Sequence, residues 1–348
     1  MEKTRLGSTE LIVTRTGFGA LPIQRVQMDE AVTILRRALD AGINFYDTAR
    51  GYTDSEEKLG RAFSDIRENV IIATKTGATT KEDVLEHVET SLRYLRTDYV
   101  DLLQLHNPNP LPDPTDPESA YTGLVEARRK GMTRFIGISS HRLEVARTAV
   151  TSGLYESLQY PLCYLSSEED LQVIELCQQA NIGLIAMKPL CGGLLTDLRP
   201  AFAFLRQYEN VIPIWGIQRM SELEQLVELD AHTPVLDSEL LRIIERDRKE
   251  LSDQFCRCCG YCLPCPADIP IPMAARMHLL LRRMPWEPFV TDHWYEAMHK
   301  VENCTDCGQC VAKCPYGLDP RVLMKRALIE YDAFYQSHAS GQPSSERK

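Results

Sequence analysis

The chain has 348 residues, 44% hydrophobic and 25% charged, the balance of a globular protein with enough apolar material for a sizeable core, and its length suits one large domain plus an appendage. Its 49 acidic against 39 basic side chains give a net charge of −10, which repels phosphate backbones and excludes a general nucleic-acid or anionic-lipid binder. No stretch approaches the roughly 18 apolar residues that span a bilayer, and MEKTRLGSTE lacks the apolar core of a signal peptide, so the expected setting is the cytoplasm.

From residue 16 to about 230, short β-branched or apolar runs alternate with stretches at helical spacing. The runs predict eight strands, at 16–20, 43–47, 70–75, 99–106, 134–139, 157–159, 182–187 and 211–215, with helices between them. In the first helix Asp29 is the expected cap, Val32, Leu35 and Leu39 fall on one face, and Gly42 closes it; Leu85, Val88, Leu92 and Leu95 repeat the pattern. Eight βα units predict an α/β fold, a (β/α)8 TIM barrel whose chemistry sits at the C-terminal ends of its strands. The alternative is an open doubly wound sheet, but GFGALP at 17–22 is not the G-x-G-x-x-G turn expected after its first strand. Beyond Thr233-Pro234 the alternation stops. The domains expected are a barrel over 1–234, a helical linker and cysteine-rich, mainly helical module over 235–336, and a polar tail over 337–348.

Nine of the twelve cysteines lie between Cys256 and Cys314. In a reduced compartment such a density argues for metal or catalysis rather than disulfides. CRCCGYCLPCP carries Cys256, Cys259, Cys262 and Cys265; CTDCGQCVAKCP carries Cys304, Cys307, Cys310 and Cys314. The second is the C-x2-C-x2-C-x3-C-P run of bacterial two-cluster ferredoxins, and the first is one residue shorter in its last gap. Three thiolates of a tight loop bind one [4Fe-4S] cluster while the fourth turns to the other. The predicted ligands are therefore Cys256, Cys259, Cys262 and Cys314 for one cluster and Cys304, Cys307, Cys310 and Cys265 for the second, with Cys258 a spare thiol. Structural zinc also takes four thiolates, but its ligands usually fall into two distant C-x2-C pairs.

Four ionisable residues end or follow barrel strands: Asp47, Tyr52, Lys75 and His106. Each alone is as readily a rim or packing residue; together they converge on one mouth. The segments NFYDTARGY, IIATKTG and DLLQLHNP, with RLGSTELIV as an N-terminal hairpin under the barrel, resemble the aldo/keto reductase family over residues 1 to about 230. That resemblance implies a tetrad in which Tyr52 is the general acid, Lys75 depresses its pKa, Asp47 holds Lys75 and His106 orients the carbonyl. It also implies NADP or NAD as cofactor, with Ser139, Ser140 and Gln159 at the nicotinamide amide; Ser140 stands where the family usually has Asn. KPLCGG (188–193) resembles the loop at the cofactor phosphates, which implicates Lys188, Leu190 and Gly192, with Cys191 a space-filler. In WGIQRMSELEQL (215–226), Gly216, Arg219 and Ser221 fall at the 2′-phosphate segment, but Trp215 and Leu226 replace the usual Pro and Asn.

The leading expectation is an NAD(P)H-dependent reductase of a small aldehyde or ketone, or the reverse alcohol oxidation, carrying two [4Fe-4S] clusters. The alternative is an electron-transfer enzyme whose clusters exchange single electrons with a flavin or substrate in the barrel and with a redox partner protein. Nicotinamide moves two electrons together whereas a cluster ordinarily passes one, and no motif establishes a flavin. A non-enzymatic redox sensor is a third reading, disfavoured by the complete tetrad. Substrate identity and oligomeric state leave no mark in the residues.

Overall fold

The structure is a computed structural model that describes residues 1–251 and 255–338. Two short strands, β1 (Lys3–Arg5) and β2 (Ile12–Thr14), pair antiparallel with Thr4 opposite Val13. There follow β3 (Gly17–Gly19), α1 (Met28–Asp40), β4 (Phe45–Asp47), α2 (Ser55–Phe63), β5 (Ile71–Thr76), α3 (Lys81–Leu95), β6 (Val100–His106) and α4 (Ala120–Arg129). The series continues as β7 (Thr133–Ser139), α5 (Leu143–Thr151), β8 (Ser157–Pro161), α6 (Glu168–Gln179), β9 (Gly183–Met187), α7 (Leu198–Arg206), β10 (Val211–Gly216) and α8 (Met220–Ala231). Strands β3 to β10 are parallel and closed, β10 pairing with both β3 and β9, so the chain forms the expected (β/α)8 barrel and not an open sheet. The expected strand bounds shift by at most two residues, as at the start of β4 and the end of β8.

The helices follow the periodicity with small rotations. In α1 the buried stripe is Ala31, Ile34, Leu35 and Ala38, and Val32 and Leu39 flank it. Asp29 does not cap this helix: Gln27 holds the cap position with no side-chain bond, and Asp29 sits in the first turn, where a carboxylate opposes the positive end of the helix dipole. Gly42 closes the helix at φ +101°, as expected. The hairpin plugs the N-terminal end of the barrel, with Leu6, Leu11 and Val13 fully buried in one cluster with Phe45, Leu102, Ile185 and Ile212. Gly7 allows this closure: at φ +55°, a Cβ there would lie 2.1 Å from the Gly183 nitrogen. With that end sealed by hydrocarbon, the C-terminal end is left for chemistry.

By contact the chain divides into two units, one formed by Met1–Pro189 and Leu198–Leu241, the other by Leu190–Asp197 and the chain from Arg242 onward. The break expected at 234 marks the end of the barrel helices, but α9 (Ser238–Leu251) runs through the boundary and is shared. The segment Leu190–Asp197, read from sequence as barrel loop, has no periodicity to announce its allegiance. The second unit continues with α10 (Ile271–Ala274), α11 (Met277–Arg283), α12 (Asp292–His299), α13 (Gln309–Ala312) and α14 (Pro320–His338). The long α14 buries Met324, Ala327, Leu328 and Tyr331, and the Tyr331 hydroxyl donates to the Phe289 carbonyl at 2.9 Å. That helix runs two residues into the expected tail; the tail from 339 lies outside the described residues. Among the described residues no helix is long and apolar enough to cross a membrane.

Candidate active site and cluster sites

Adjacent parallel strands bring the ionisable residues to one rim. Asp47 is the last residue of β4, Lys75 lies near the end of β5 opposite Gln104, and His106 ends β6 opposite Ser139, which in turn faces Gln159 on β8. The Lys75 ammonium, 1% exposed, donates to both Asp47 carboxylate oxygens at 2.7 and 2.8 Å and to the Thr48 carbonyl at 2.7 Å. It stands 5.3 Å from the Tyr52 ring centroid, and the Tyr52 and His106 rings meet edge to face at 5.8 Å. All four residues are thus gathered in one place. Gln159 donates to Asp47 at 3.3 Å and accepts from Gln104 at 3.0 Å, which extends the chain that holds the carboxylate.

Burial sets the electrostatics. It raises the Asp47 pKa against the opposing pull of Lys75, and lowers the Lys75 pKa against the pull of Asp47. Glu56 also favours the charged lysine; it is buried, accepts from Thr74 at 2.7 Å and pairs with Arg50. His106 is pushed down to about 3, first by burial and then by Lys75. It is therefore a neutral imidazole at physiological pH, able to donate an N–H without carrying charge. His141 is depressed in the same direction by burial, Lys188 and His106. Neither Glu56 nor His141 is marked by spacing, because each reaches the site through the closure of the barrel.

The His106 shift carries a stability prediction. Between about pH 6.5 and 3 the unfolded chain takes up a proton that the folded site refuses, so folding stability falls as pH drops through that window. His106→Gln is expected to flatten this fall by about one proton between pH 6 and 4.5. Urea midpoints measured across the range check it; an unchanged slope sinks the assignment.

The residues suggested for a nicotinamide sit together along β7 and β8. The Ser140 N–H donates to the Gln159 carbonyl at 3.0 Å, and the Ser139 hydroxyl donates to the Leu105 carbonyl at 3.3 Å. The Ser140 hydroxyl donates to the Arg142 carbonyl at 3.2 Å and accepts its N–H at 3.0 Å. Gln159 spends one N–H on Asp47 and one lone pair on Gln104, which leaves one of each, the complement of a primary amide. This donor set fits the group. Lys188 follows β9 with φ +58°, while Leu190 and Gly192 belong to the second unit. Cys191 is buried at 4% exposure. At the start of α8, Gly216 and Arg219 are exposed, but the Glu222 carboxylate accepts from the Gln218 and Arg219 N–H groups at 2.9 and 3.1 Å. Of these, the Arg219 N–H, at the N-cap, is one of the helix's orphan donors, the kind an anion at a helix start meets.

In the second unit the thiols ring two cavities. One is lined by Cys256, Cys259, Cys262 and Cys314. The other is lined by Cys265, Cys304, Cys307 and Cys310, and Cys262 borders it too. Left-handed turns at Cys258 (φ +53°), Gly260 (φ +83°), Asp306 (φ +51°) and Gly308 (φ +74°) turn the loops so that the thiols face inward. Cys258 lines neither cavity. Among the described residues no three His, Cys, Asp or Glu side chains stand close enough to hold a single ion, whereas a cubane needs thiolates spread around it. As thiols, Cys256 and Cys262 are pushed up to about 11 and about 12, chiefly by burial, so without a bound metal they stay protonated near neutral pH.

Residues 15–203 match the model of the aldo/keto reductase family, and residues 255–319 match that of a 4Fe-4S dicluster domain. The chain is 32% identical over 213 residues to the uncharacterized oxidoreductase YqkF of Bacillus subtilis, covering 57% of this chain and 67% of that protein. It is 31% identical over 219 residues to the L-galactose dehydrogenase of Arabidopsis thaliana, covering 58% and 69%. Among solved structures it resembles the holo form of the aldo-keto reductase AKR11C1 from Bacillus halodurans, with a TM-score of 0.63, 25% identity, and coverage of 71% of this chain and 96% of that one. The parallel barrel, the family match and the dicluster match together make this chain an oxidoreductase of the aldo/keto reductase family that carries a 4Fe-4S dicluster domain C-terminal to its barrel.

Proposed function

We propose that the protein reduces an aldehyde or ketone with NADH or NADPH, or runs the reaction in reverse, with Tyr52 as general acid. The observation that carries this reading is the buried Lys75 ammonium, fixed by Asp47 and Thr48 beside the Tyr52 ring and within the same cluster as His106. A bound nicotinamide supplies the hydride, and Ser139, Ser140 and Gln159 would hold its amide. A phenol is a poor acid near neutral pH, and Lys75 stabilises the phenolate it leaves behind. Tyr52 donates its proton to the carbonyl oxygen, the neutral His106 donates a hydrogen bond to the same oxygen, and Asp47 holds Lys75 in place. Anaerobic incubation of the full chain with NADH or NADPH and a panel of small aldehydes tests this; no nucleotide oxidation with any of them would overturn it.

The same reading places [4Fe-4S] clusters at Cys256, Cys259, Cys262 and Cys314 and at Cys304, Cys307, Cys310 and Cys265, a chemistry suited to a reducing cytoplasm. One observation favours a second reading, in which the clusters exchange single electrons with a partner protein: Cys307, on the lining of its cavity, is exposed. Bleaching of the cluster absorbance by NAD(P)H supports that traffic; intact carbonyl turnover without bleaching removes it.

Nucleotide choice is set at the start of α8. Because the Glu222 carboxylate already accepts the Arg219 N–H at the N-cap of α8 and the Gln218 N–H before it, a 2′-phosphate there meets like charge. Glu222→Gln is expected to improve NADPH over NADH in kcat/KM by roughly fivefold, the equivalent of about 1 kcal/mol. Steady-state comparison of the two nucleotides decides it, and an unchanged ratio removes Glu222 from the site.

A further inference from the structure

The strand β9 and the helix α7 belong to the barrel unit, yet the connection between them, Leu190–Asp197, is folded into the unit that holds the cysteines. Two arginines of that unit grip its backbone. Arg276, 1% exposed, donates from Nη2 to the Gly192 carbonyl at 3.0 Å, and Arg283 donates from Nε to the Leu194 carbonyl at 2.8 Å. Backbone carbonyls held by guanidinium groups are charge-assisted bonds, stronger than neutral ones.

The two anchors differ in how their charge is balanced. Arg283 is neutralised by Asp247 at 2.7 Å and Glu250 at 2.6 Å. Arg276 has no such partner: among the described residues no carboxylate pairs with it, and its Nε is buried without a hydrogen bond. A buried, unpaired cation is costly. What lies beside it is the first cysteine run. A Cβ placed on Gly192 would stand 3.1 Å from Arg276 Nη1, 3.7 Å from the Cys258 Cβ and 3.8 Å from the Arg257 carbonyl oxygen. Four thiolates around an iron-sulfur core leave a net negative charge, the counter-charge that this guanidinium lacks.

We propose that Arg276 and Arg283 are positioning residues that make the conformation of Leu190–Asp197 conditional on a filled cluster site at the Cys256 run. Arg283 is the permanent anchor. Arg276 is the conditional one, held in place only when the cluster balances its charge.

The test uses the iron- and sulfide-loaded full chain, with Arg276→Gln and Arg283→Gln. Hydrogen exchange is followed on a peptide covering 190–197, and the reduced clusters by electron paramagnetic resonance. Arg276→Gln should speed exchange in the peptide at least tenfold and alter the resonance of one cluster. Arg283→Gln should loosen the same peptide while leaving both cluster resonances as in the parent. If Arg276→Gln fails to load iron, Arg283→Gln and the parent stripped of iron still decide the matter. Stripping must speed exchange at 190–197 more than at the β5 peptide 70–76. Exchange within twofold of the loaded parent in both variants overturns the proposal.

Discussion

Tyr52→Phe is expected to lower kcat for carbonyl reduction by about 10²- to 10⁴-fold, the range for a lost general acid, while KM and the iron content stay near the parent values. The substitution removes one oxygen from a half-buried ring and keeps the ring contacts with His106 and Lys75. Lys75→Met should fail differently. It strips the counter-charge from Asp47, a carboxylate 2% exposed, and leaving one member of a buried ion pair alone costs roughly 3–5 kcal/mol. The lysine variant should therefore lose activity and melt early, whereas the tyrosine variant should lose activity with the melting curve of the parent. Thermal unfolding run beside steady-state kinetics separates the two. Retained turnover in Tyr52→Phe would take the proton-transfer role away from Tyr52.

How much of this was open to inspection in the residues depends on range. The eight strands could be read because each is a short apolar run bounded by an amphipathic helix, a signal contained within about twenty residues. Asp47, Lys75 and His106 were visible for the same reason: each ends a run that reads as a strand, and a parallel barrel sends all such ends to one rim. The supporting contacts were not. Gln159 reaches Asp47 across 112 residues of sequence, and Gln104 reaches Gln159 across 55, so nothing local marks either bond. The cap of α1 carries no sequence signal, because Gln27 rather than Asp29 holds that position through backbone conformation alone, with extended φ and ψ and no side-chain bond. Leu190–Asp197 is the clearest loss. Its glycines advertise an unusual loop, but its attachment to the cysteine unit is made by Arg276 and Arg283, more than 80 residues away, through bonds to carbonyls that every residue possesses.

The ligand sets can be decided by pairs of cysteine substitutions, because a cluster already lost cannot be lost again. If the fourth thiol of each run serves the other cluster, Cys265 and Cys307 belong to one cluster, as the lining they share suggests, and Cys314 belongs with Cys256, Cys259 and Cys262. Cys265→Ala combined with Cys307→Ala should then remove a single cluster and leave about four of roughly eight irons per chain. Cys307→Ala combined with Cys314→Ala should remove both and leave almost none. If each run instead kept its own fourth thiol, the two pairs would exchange results: Cys307 with Cys314 would spare one cluster, and Cys265 with Cys307 would spare neither. The geometry favours crossing because Cys314 lies on the cavity of the Cys256 run, and Cys265 on that of the Cys304 run. Each thiol that crosses closes a loop between two distant runs, so losing one cluster should also loosen the packing of α13 and α14 on the remaining site. Iron counts on anaerobically purified double variants, read beside the paramagnetic signal of the surviving cluster, separate crossed from uncrossed ligation.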